Sequence, residues 1–285
     1  MKQKYLFFIT LFIATNITLT TKTSESDLFK AAHDNNIEQI KTLLADGINV
    51  EARTPKEDTA LIIAAAYGST QAVEALLAAQ ANVHAANRYG ATALMAAAKL
   101  DKTQIVKMGA AKPDTTQIVK MLLAAGAKVN VADINKNTPL MCAIAEGHDA
   151  QIVRILLTAG ADADTAELRG LTPLMFAAGY NQDQIVNILL EAGANIHTTD
   201  RDGDTALVIA TNRKKTEAVK ALLKAGARIP EHFIKNPTIV QAQREIHNDE
   251  VRAKDAVRDM QRRLENTGQN TGFASELAKK IEEYL

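Results

Sequence analysis

Apolar positions in this chain fall into two helical patterns that alternate, and the pair recurs. Residues 172–204 carry a clean copy. After Thr172 and Pro173, the residues Leu174, Ala177 and Ala178 give one narrow apolar face, and residues 179–183 read as a turn. Ile185, Val186, Ile188, Leu189 and Leu190 then recur at the spacing of a second helix. Thr172 suits a helix N-cap, and Pro173 suits the first helical position, where no N–H is needed. Gly193 falls where a helix closes on a left-handed residue, a conformation glycine adopts without steric strain. Residues 195–204 are polar and extended, with Gly203 at their bend. The pattern therefore predicts a helix, a turn, a second helix and a finger loop. One such pair cannot bury its apolar face alone, whereas stacked copies make the core continuous.

The opening letters return at Thr59-Ala60-Leu61, Thr92-Ala93-Leu94, Thr138-Pro139-Leu140 and Thr205-Ala206-Leu207, at intervals of 33, 46, 34 and 33 residues. One period before Thr59 lies Ser26-Asp27-Leu28, followed by Ala31-Ala32. Six units are thus expected, starting near 26, 59, 92, 138, 172 and 205. A fixed period in the thirties is the mark of a helical repeat array. The long interval has an internal cause: AAKLDKTQIVKM at 97–108 returns as AAKPDTTQIVKM at 110–121, a duplication of 13 residues. The second copy runs into Leu122-Leu123 and is expected to be the packed helix. The first is expected to leave the stack, as a tolerated loop insertion or as an apolar patch of Ile105, Val106 and Met108.

The T-P-L opening, the paired alanines, the I-V-x-x-L-L helix and the G-A closing turn resemble the ankyrin repeat, over residues 26–229. The resemblance implies an all-α solenoid of helix-turn-helix units with β-hairpin-like finger loops, here with a helical C-terminal extension. There are departures. Where the family has His after T-P-L, this chain has Ile62, Met95, Met141, Met175 and Val208. That puts in question the loop hydrogen bonds which that His supplies. Gln80 replaces a terminating glycine, and Glu57 and Lys136 replace the finger glycine seen at Gly90, Gly170 and Gly203. The resemblance also implies a non-enzymatic protein-binding module, whose partner meets the finger tips and the exposed end of each first helix. Those positions include Tyr67, Arg88, Tyr89, Ile134, Asn135, Leu168, Arg169, Tyr180, Arg201 and Asp202. Tyr and Arg are the usual interface anchors, the alternative being surface residues that are merely tolerated.

The flanks differ in kind. In residues 1–24, Lys2 and Lys4 precede an apolar run over 5–14 and a Thr-rich stretch, which reads as an export signal, though no A-x-A triplet follows. The expected destination is the periplasm or beyond, as in exported bacterial ankyrin proteins. An uncleaved anchor over 5–19 is the alternative, shorter than the ~20 residues of a comfortable span. Residues 26–58 are more polar than the inner units and suit a cap. Within 230–285, a helix is expected from Thr238 to about Leu264, with Ile246, Ala253, Val257, Met260 and Leu264 on one side. It reads as a lid on the last repeat. The alternative is a coiled-coil pair, interrupted by Gln243 and Glu250, that would assemble a membrane-held envelope component. A hinge at 266–272 and a terminal helix at 275–285 follow.

Composition narrows the chemistry. The net charge is zero, which argues against a nucleic-acid partner. Cys142 shares its helical position with Ile63, Ala96, Phe176 and Ile209 and reads as a buried structural thiol rather than a nucleophile. The acidic finger from Asp200 to Asp204 places Thr205 and Thr211 where a calcium loop needs Gly and Glu. His84 and His197 lie in fingers too far apart to share a metal. No catalytic motif is present. The expectation is a monomer with no metal, cofactor or small-molecule substrate.

Overall fold

A computed structural model describes residues 24–99, 114–145, 150–180, 182–267 and 276. The leader up to residue 23, the first copy of the duplication from residue 100 on, and the expected hinge and terminal helix beyond 267 fall outside the described residues, Glu276 excepted. The chain divides into two compact units, Met1–Ala161 and Asp162–Leu285. The first holds α1 Glu25–His33, α2 Ile37–Ala45, α3 Ala60–Tyr67, α4 Thr70–Ala78, α5 Ala93–Ala98, α6 Thr115–Ala124, α7 Pro139–Ala145 and α8 Ala150–Thr158. The second holds α9 Pro173–Gly179, α10 Asp183–Glu191, α11 Ala206–Asn212, α12 Thr216–Lys224, a 3-10 turn Glu231–Phe233 and α13 Pro237–Thr267. Among the described residues, extended pairing is limited to the isolated bridges Ala86–Thr92 and Thr199–Thr205.

The threonines that mark the period are the helix starts. Thr59, Thr92, Thr138, Thr172 and Thr205 each accept the backbone N–H three residues on, from Ile62, Met95, Met141, Met175 and Val208, at 3.3–3.4 Å. In the first unit the first helices pack in the row α1, α3, α5, α7 and the second helices in the row α2, α4, α6, α8; in the second unit α9 meets α11 and α10 meets α12. Ala31, Ala64, Ala97, Ala143, Ala177 and Ala210 are fully buried between first helices, where a larger side chain would hold neighbours apart. Leu28, Leu76, Leu94, Leu122, Leu140 and Leu156 fill the seam between the rows of the first unit.

Several expectations are corrected. The first helix is capped by Ser24 and starts at Glu25, not at 26, because Ser24 N–H donates to Asp27 Oδ2 at 2.8 Å and satisfies an end the strict period would leave open. Those bonds from Ser24, backbone first, hold the Asp27 carboxyl below its ordinary value. Gly179 is not in the turn; it ends α9, buried, with Tyr180 as C-cap. A Cβ there would stand 3.3 Å from Ile209 Cγ2, so glycine serves the approach of α11. Leu190 is half-buried rather than core. Cys142 is also half-buried, as are Ile63, Ala96, Phe176 and Ile209, because this side of each first helix faces outward from the stack.

Gln80 has φ +62°, as its place in the repeat requires, where Gly47, Gly126, Gly160, Gly193 and Gly226 have φ between +86° and +89° or, for Gly193, +83°. Around those glycines an added Cβ would meet nothing within 4 Å, so the cost at Gln80 is conformational alone. Gln80→Gly is expected to stabilise the first unit by about 0.5–1 kcal/mol, since glycine's looser unfolded chain takes back part of the gain. A melting temperature at or below that of the parent would refute it.

At the start of α10, Asp183 Oδ1 is buried with no hydrogen-bond partner. Burial first, then the Glu217 carboxylate, raises its carboxyl above the ordinary value, with Lys215 opposing. A raised acid binds more protons folded than unfolded, so stability falls as pH climbs through the window above 3.8. The same position holds Thr70, Thr115 and Thr216 in other helices. Asp183→Thr should stabilise the second unit by about 1 kcal/mol at neutral pH and by little below the unfolded carboxylate range, as urea titrations at two pH values would show.

The C-terminal helix lies on the last repeat, extending three residues past the expected end. Ile239 and Ala242 are fully buried where α13 packs on α12. Lys220 Nζ sits 3.2 Å from Asp249 Oδ2, 3.7 Å from Glu217 Oε2 and 3.8 Å from Glu245 Oε2. The Asp249 bond leads in raising the amine above its ordinary 10.5. A raised lysine contributes in full below its unfolded value and is lost as pH climbs through the folded one. The protection factors at Ile239 and Ala242, which correct for base-catalysed intrinsic exchange, should therefore hold from neutral pH to about 10 and fall above it. Lys220→Met should remove that pH dependence.

Candidate functional site

Each finger is closed by its own first residue. The backbone N–H groups of Thr54, Asn87, Asp133, Glu167 and Asp200 donate to the carbonyls of Asp58, Ala91, Asn137, Leu171 and Asp204 at 3.0–3.1 Å. The turn then needs a left-handed residue, and Glu57, Gly90, Lys136, Gly170 and Gly203 all have positive φ. Side chains complete the lock. Asn87 Oδ1 accepts from Tyr89 and Ala91 N–H at 3.0 Å, Asp133 Oδ1 from Asn135 and Asn137 at 2.8 Å, and Asp200 Oδ1 from Asp202 and Asp204 at 3.0 and 2.9 Å. Glu167 Oε1 takes Arg169 and Leu171 N–H, and Thr54 Oγ1 takes Lys56 and Asp58 N–H. These bonds stand where the missing His left a question.

Neighbouring fingers are joined edge to edge by backbone bonds. Arg88 N–H donates to the Lys56 carbonyl at 3.1 Å and Ile134 N–H to the Tyr89 carbonyl at 3.0 Å in the first unit; in the second, Arg201 N–H donates to the Arg169 carbonyl at 3.0 Å. The Arg88 guanidinium turns back to the Pro55 carbonyl, so its head ties two fingers together. Arg53 does the same, donating to the Glu57 and Ala86 carbonyls. With main-chain groups satisfied this way, the tips project their side chains.

All ten expected site residues are exposed: Tyr67, Arg88, Tyr89, Ile134, Asn135, Leu168, Arg169, Tyr180, Arg201 and Asp202. They are not equally free. Tyr67 packs on His33 at the end of α1, the first helix of the preceding repeat, ring centroids 4.1 Å apart. Tyr180 stacks on Phe176, nearly parallel at 6.2 Å, and the Arg213 guanidinium lies 5.2 Å from its ring centre. Tyr89, 48% exposed, stands on a tip and has no ring contact.

Arg169 and Tyr180 come together in the second unit, as lining of an open cleft of about 290 Å³ between α9, α11 and two fingers. Its other walls include Phe176, Asp200, Asp204 and Arg213, none of which the sequence had marked as contact residues. Burial, then the Asp200 and Asp202 carboxylates, pushes the Asp204 carboxyl above its ordinary value, opposed by His232. Arg213 had one available signal: it falls one period after Tyr180, at the same end of a first helix. Asp204 was marked only as part of an acidic finger, and its place in the cleft depends on the finger's fold. Among the described residues, no three His, Cys, Asp or Glu side chains converge as metal ligands would.

The model for ankyrin repeats in three copies matches residues 28–108 and 108–200, and that for the single ankyrin repeat matches 202–231. The chain belongs to the ankyrin repeat family. No curated protein sequence matches it. Among solved structures it is similar to an ankyrin repeat domain from Acinetobacter baumannii AYE, with 31% identity, 72% of this chain and 100% of that one covered, and a TM-score of 0.62. It is similar to the ankyrin repeat domain of human ASB11, with 27% identity, coverage of 75% and 95%, and a TM-score of 0.63. A third similar chain belongs to the complex of the predatory endopeptidase Bd0816 from Bdellovibrio bacteriovorus with the immunity protein Bd3460, at 25% identity, coverage of 71% and 99%, and a TM-score of 0.60. Ankyrin repeats are typically non-enzymatic interaction scaffolds, and this chain's repeats place it among protein-protein interaction modules.

Proposed function

We propose that this ankyrin repeat protein is an exported, non-enzymatic scaffold that holds a protein partner on its finger tips and on the open ends of its first helices. The observation that carries the reading is the finger lock. It satisfies the main chain internally and leaves Tyr89, Ile134, Leu168, Arg201 and Asp202 exposed on rigid turns. Exposed aromatic side chains on such turns bind at low cost in conformational entropy, and arginine is a common interface anchor. A similar chain taken from a complex between two proteins is consistent with it. Export rests on the basic and apolar leader before residue 24, and the mass of the mature protein distinguishes a cleaved signal from an anchor.

The test is a photo-crosslinking amino acid placed at Tyr89 or Asp202, with Glu74 on the outer helix α4 as the control position. Capture of one protein from the two finger positions and not from Glu74 supports the proposal. Capture from Glu74 alone would move the binding surface to the second helices.

A further inference from the structure

We infer that the cleft between α9, α11 and the last two fingers of the second unit receives an arginine side chain from the partner polypeptide. This rests on the scaffold reading above and specifies the chemistry of one part of its face. The volume, about 290 Å³, is just below the range of pockets that enclose whole small ligands, and suits one long side chain with its flanking backbone. The floor is apolar and aromatic: Met175, Phe176 and Ile209, with the Tyr180 ring, half exposed, stacked on Phe176. A planar cation packs on such a surface, and a guanidinium already does so here, that of Arg213.

The charges of the walls choose the sign. Arg169 is paired with Glu167 at 3.5 Å, and Arg213 is engaged with the Tyr180 ring and the Gly179 carbonyl. On the finger side, Asp200 Oδ1 accepts from two backbone N–H groups, and among the described residues nothing pairs with the Asp204 side chain. Asp202, outside the cleft on the same finger, adds to the negative charge felt by Asp204, and His232 of the turn that follows α12 opposes it. The cleft thus has two arginines engaged with other groups and one carboxylate, that of Asp204, still open to a donor. An incoming guanidinium, with five donors in a planar fork, fits both the carboxylates and the flat floor. Lysine offers a point charge without the stacking plane, and a carboxylate would meet Asp200 and Asp204 head-on.

The probe is a set of capped pentapeptides with a central Arg, Lys, Gln or Glu in otherwise identical neutral sequence. Each is titrated into 15N-labelled protein beginning at residue 24, with amide shifts followed at Tyr180, Asp204 and Asn212. The expected result is saturable shifts at the cleft with the arginine peptide, at least threefold weaker binding with lysine, and none with Gln or Glu. Asp204→Asn should reduce arginine binding at least fivefold with no loss of thermal stability, because the raised carboxyl does not stabilise the fold at neutral pH. Should that variant fail to fold, Asp200→Asn serves, because Asn87 shows that an amide closes the same turn. Equal binding of the Gln or Glu peptide, or no cleft shifts with the arginine peptide, overturns the assignment. A recovered partner that still depends on Tyr89 while ignoring Asp204 overturns the cleft alone; indifference to both overturns the scaffold reading.

Discussion

Gly170→Ala is expected to cost the second unit about 2–3 kcal/mol, and Gly193→Ala only about 1. Both glycines are left-handed, with φ of +86° and +83°. An alanine pays the same conformational cost at each, on the order of 1 kcal/mol. They differ in what a Cβ meets. At Gly193 it meets nothing within 4 Å, whereas at Gly170 it stands 3.1 Å from both the Asp200 Cα and the Arg201 N of the next finger. Backbone cannot swing aside as a side chain does, so the fingers must part and the bond from Arg201 N–H to the Arg169 carbonyl must stretch. Crowding of that kind adds about 1–2 kcal/mol. The addition has a ceiling, because Glu57 occupies the equivalent place with φ of +64°. A residue at 170 can relax toward that value and gain room. Chemical denaturation of the pair of variants measures the difference directly. Equal losses would mean that the finger contact at Gly170 is looser than 3.1 Å implies.

Tyr180→Ala should weaken partner binding by about 2 kcal/mol or more, roughly 30-fold, if Tyr180 is a hot spot of the face. It should also lower stability, by about 1 kcal/mol, through loss of the stack on Phe176 and the Arg213 contact. The expectation from exposure alone, under about 0.5 kcal/mol, therefore applies to Tyr89 and not to Tyr180. Tyr67 falls between, because its ring packs on His33. The informative measurement is binding and unfolding on all three alanine variants together. Affinity losses at Tyr89 and Tyr180 that exceed their stability losses identify the face. Parallel losses would make the tyrosines packing residues, and undiminished binding in stable variants would point to α13.

The period, the helix starts and the buried alanines were legible because each is set by a residue type that recurs: Thr at the cap, Ala where helices nearly touch, Leu in the seam. Left-handed Gln80, Glu57 and Lys136 were legible for the same reason, as substitutions in a position whose φ the repeat dictates. The finger lock was not. Thr54, Asn87, Asp133, Glu167 and Asp200 share an oxygen acceptor, not a letter or a side-chain length, so no motif announces them. Gly179 was misread because glycine marks turns and close approaches alike, and only the position of Ile209 separates the two. Cys142 was misread because periodicity gives the face of a helix but not whether anything covers it. The cleft joins residues of successive repeats, a neighbourhood that appears only once copies are stacked.

The finger lock also bears on how such a chain changes over generations. Every bond that closes a finger lies within five consecutive residues, so a repeat copied or moved as a block carries its own closure with it. The side chains at the tip take no part in that closure, Arg88 and Arg169 apart. Mutation can therefore rewrite residues such as Tyr89, Ile134 or Asp202 with little penalty to folding, and a new partner can be acquired on an old frame. Positions proposed to meet a partner and positions that close the finger are separated here by as little as two residues of sequence.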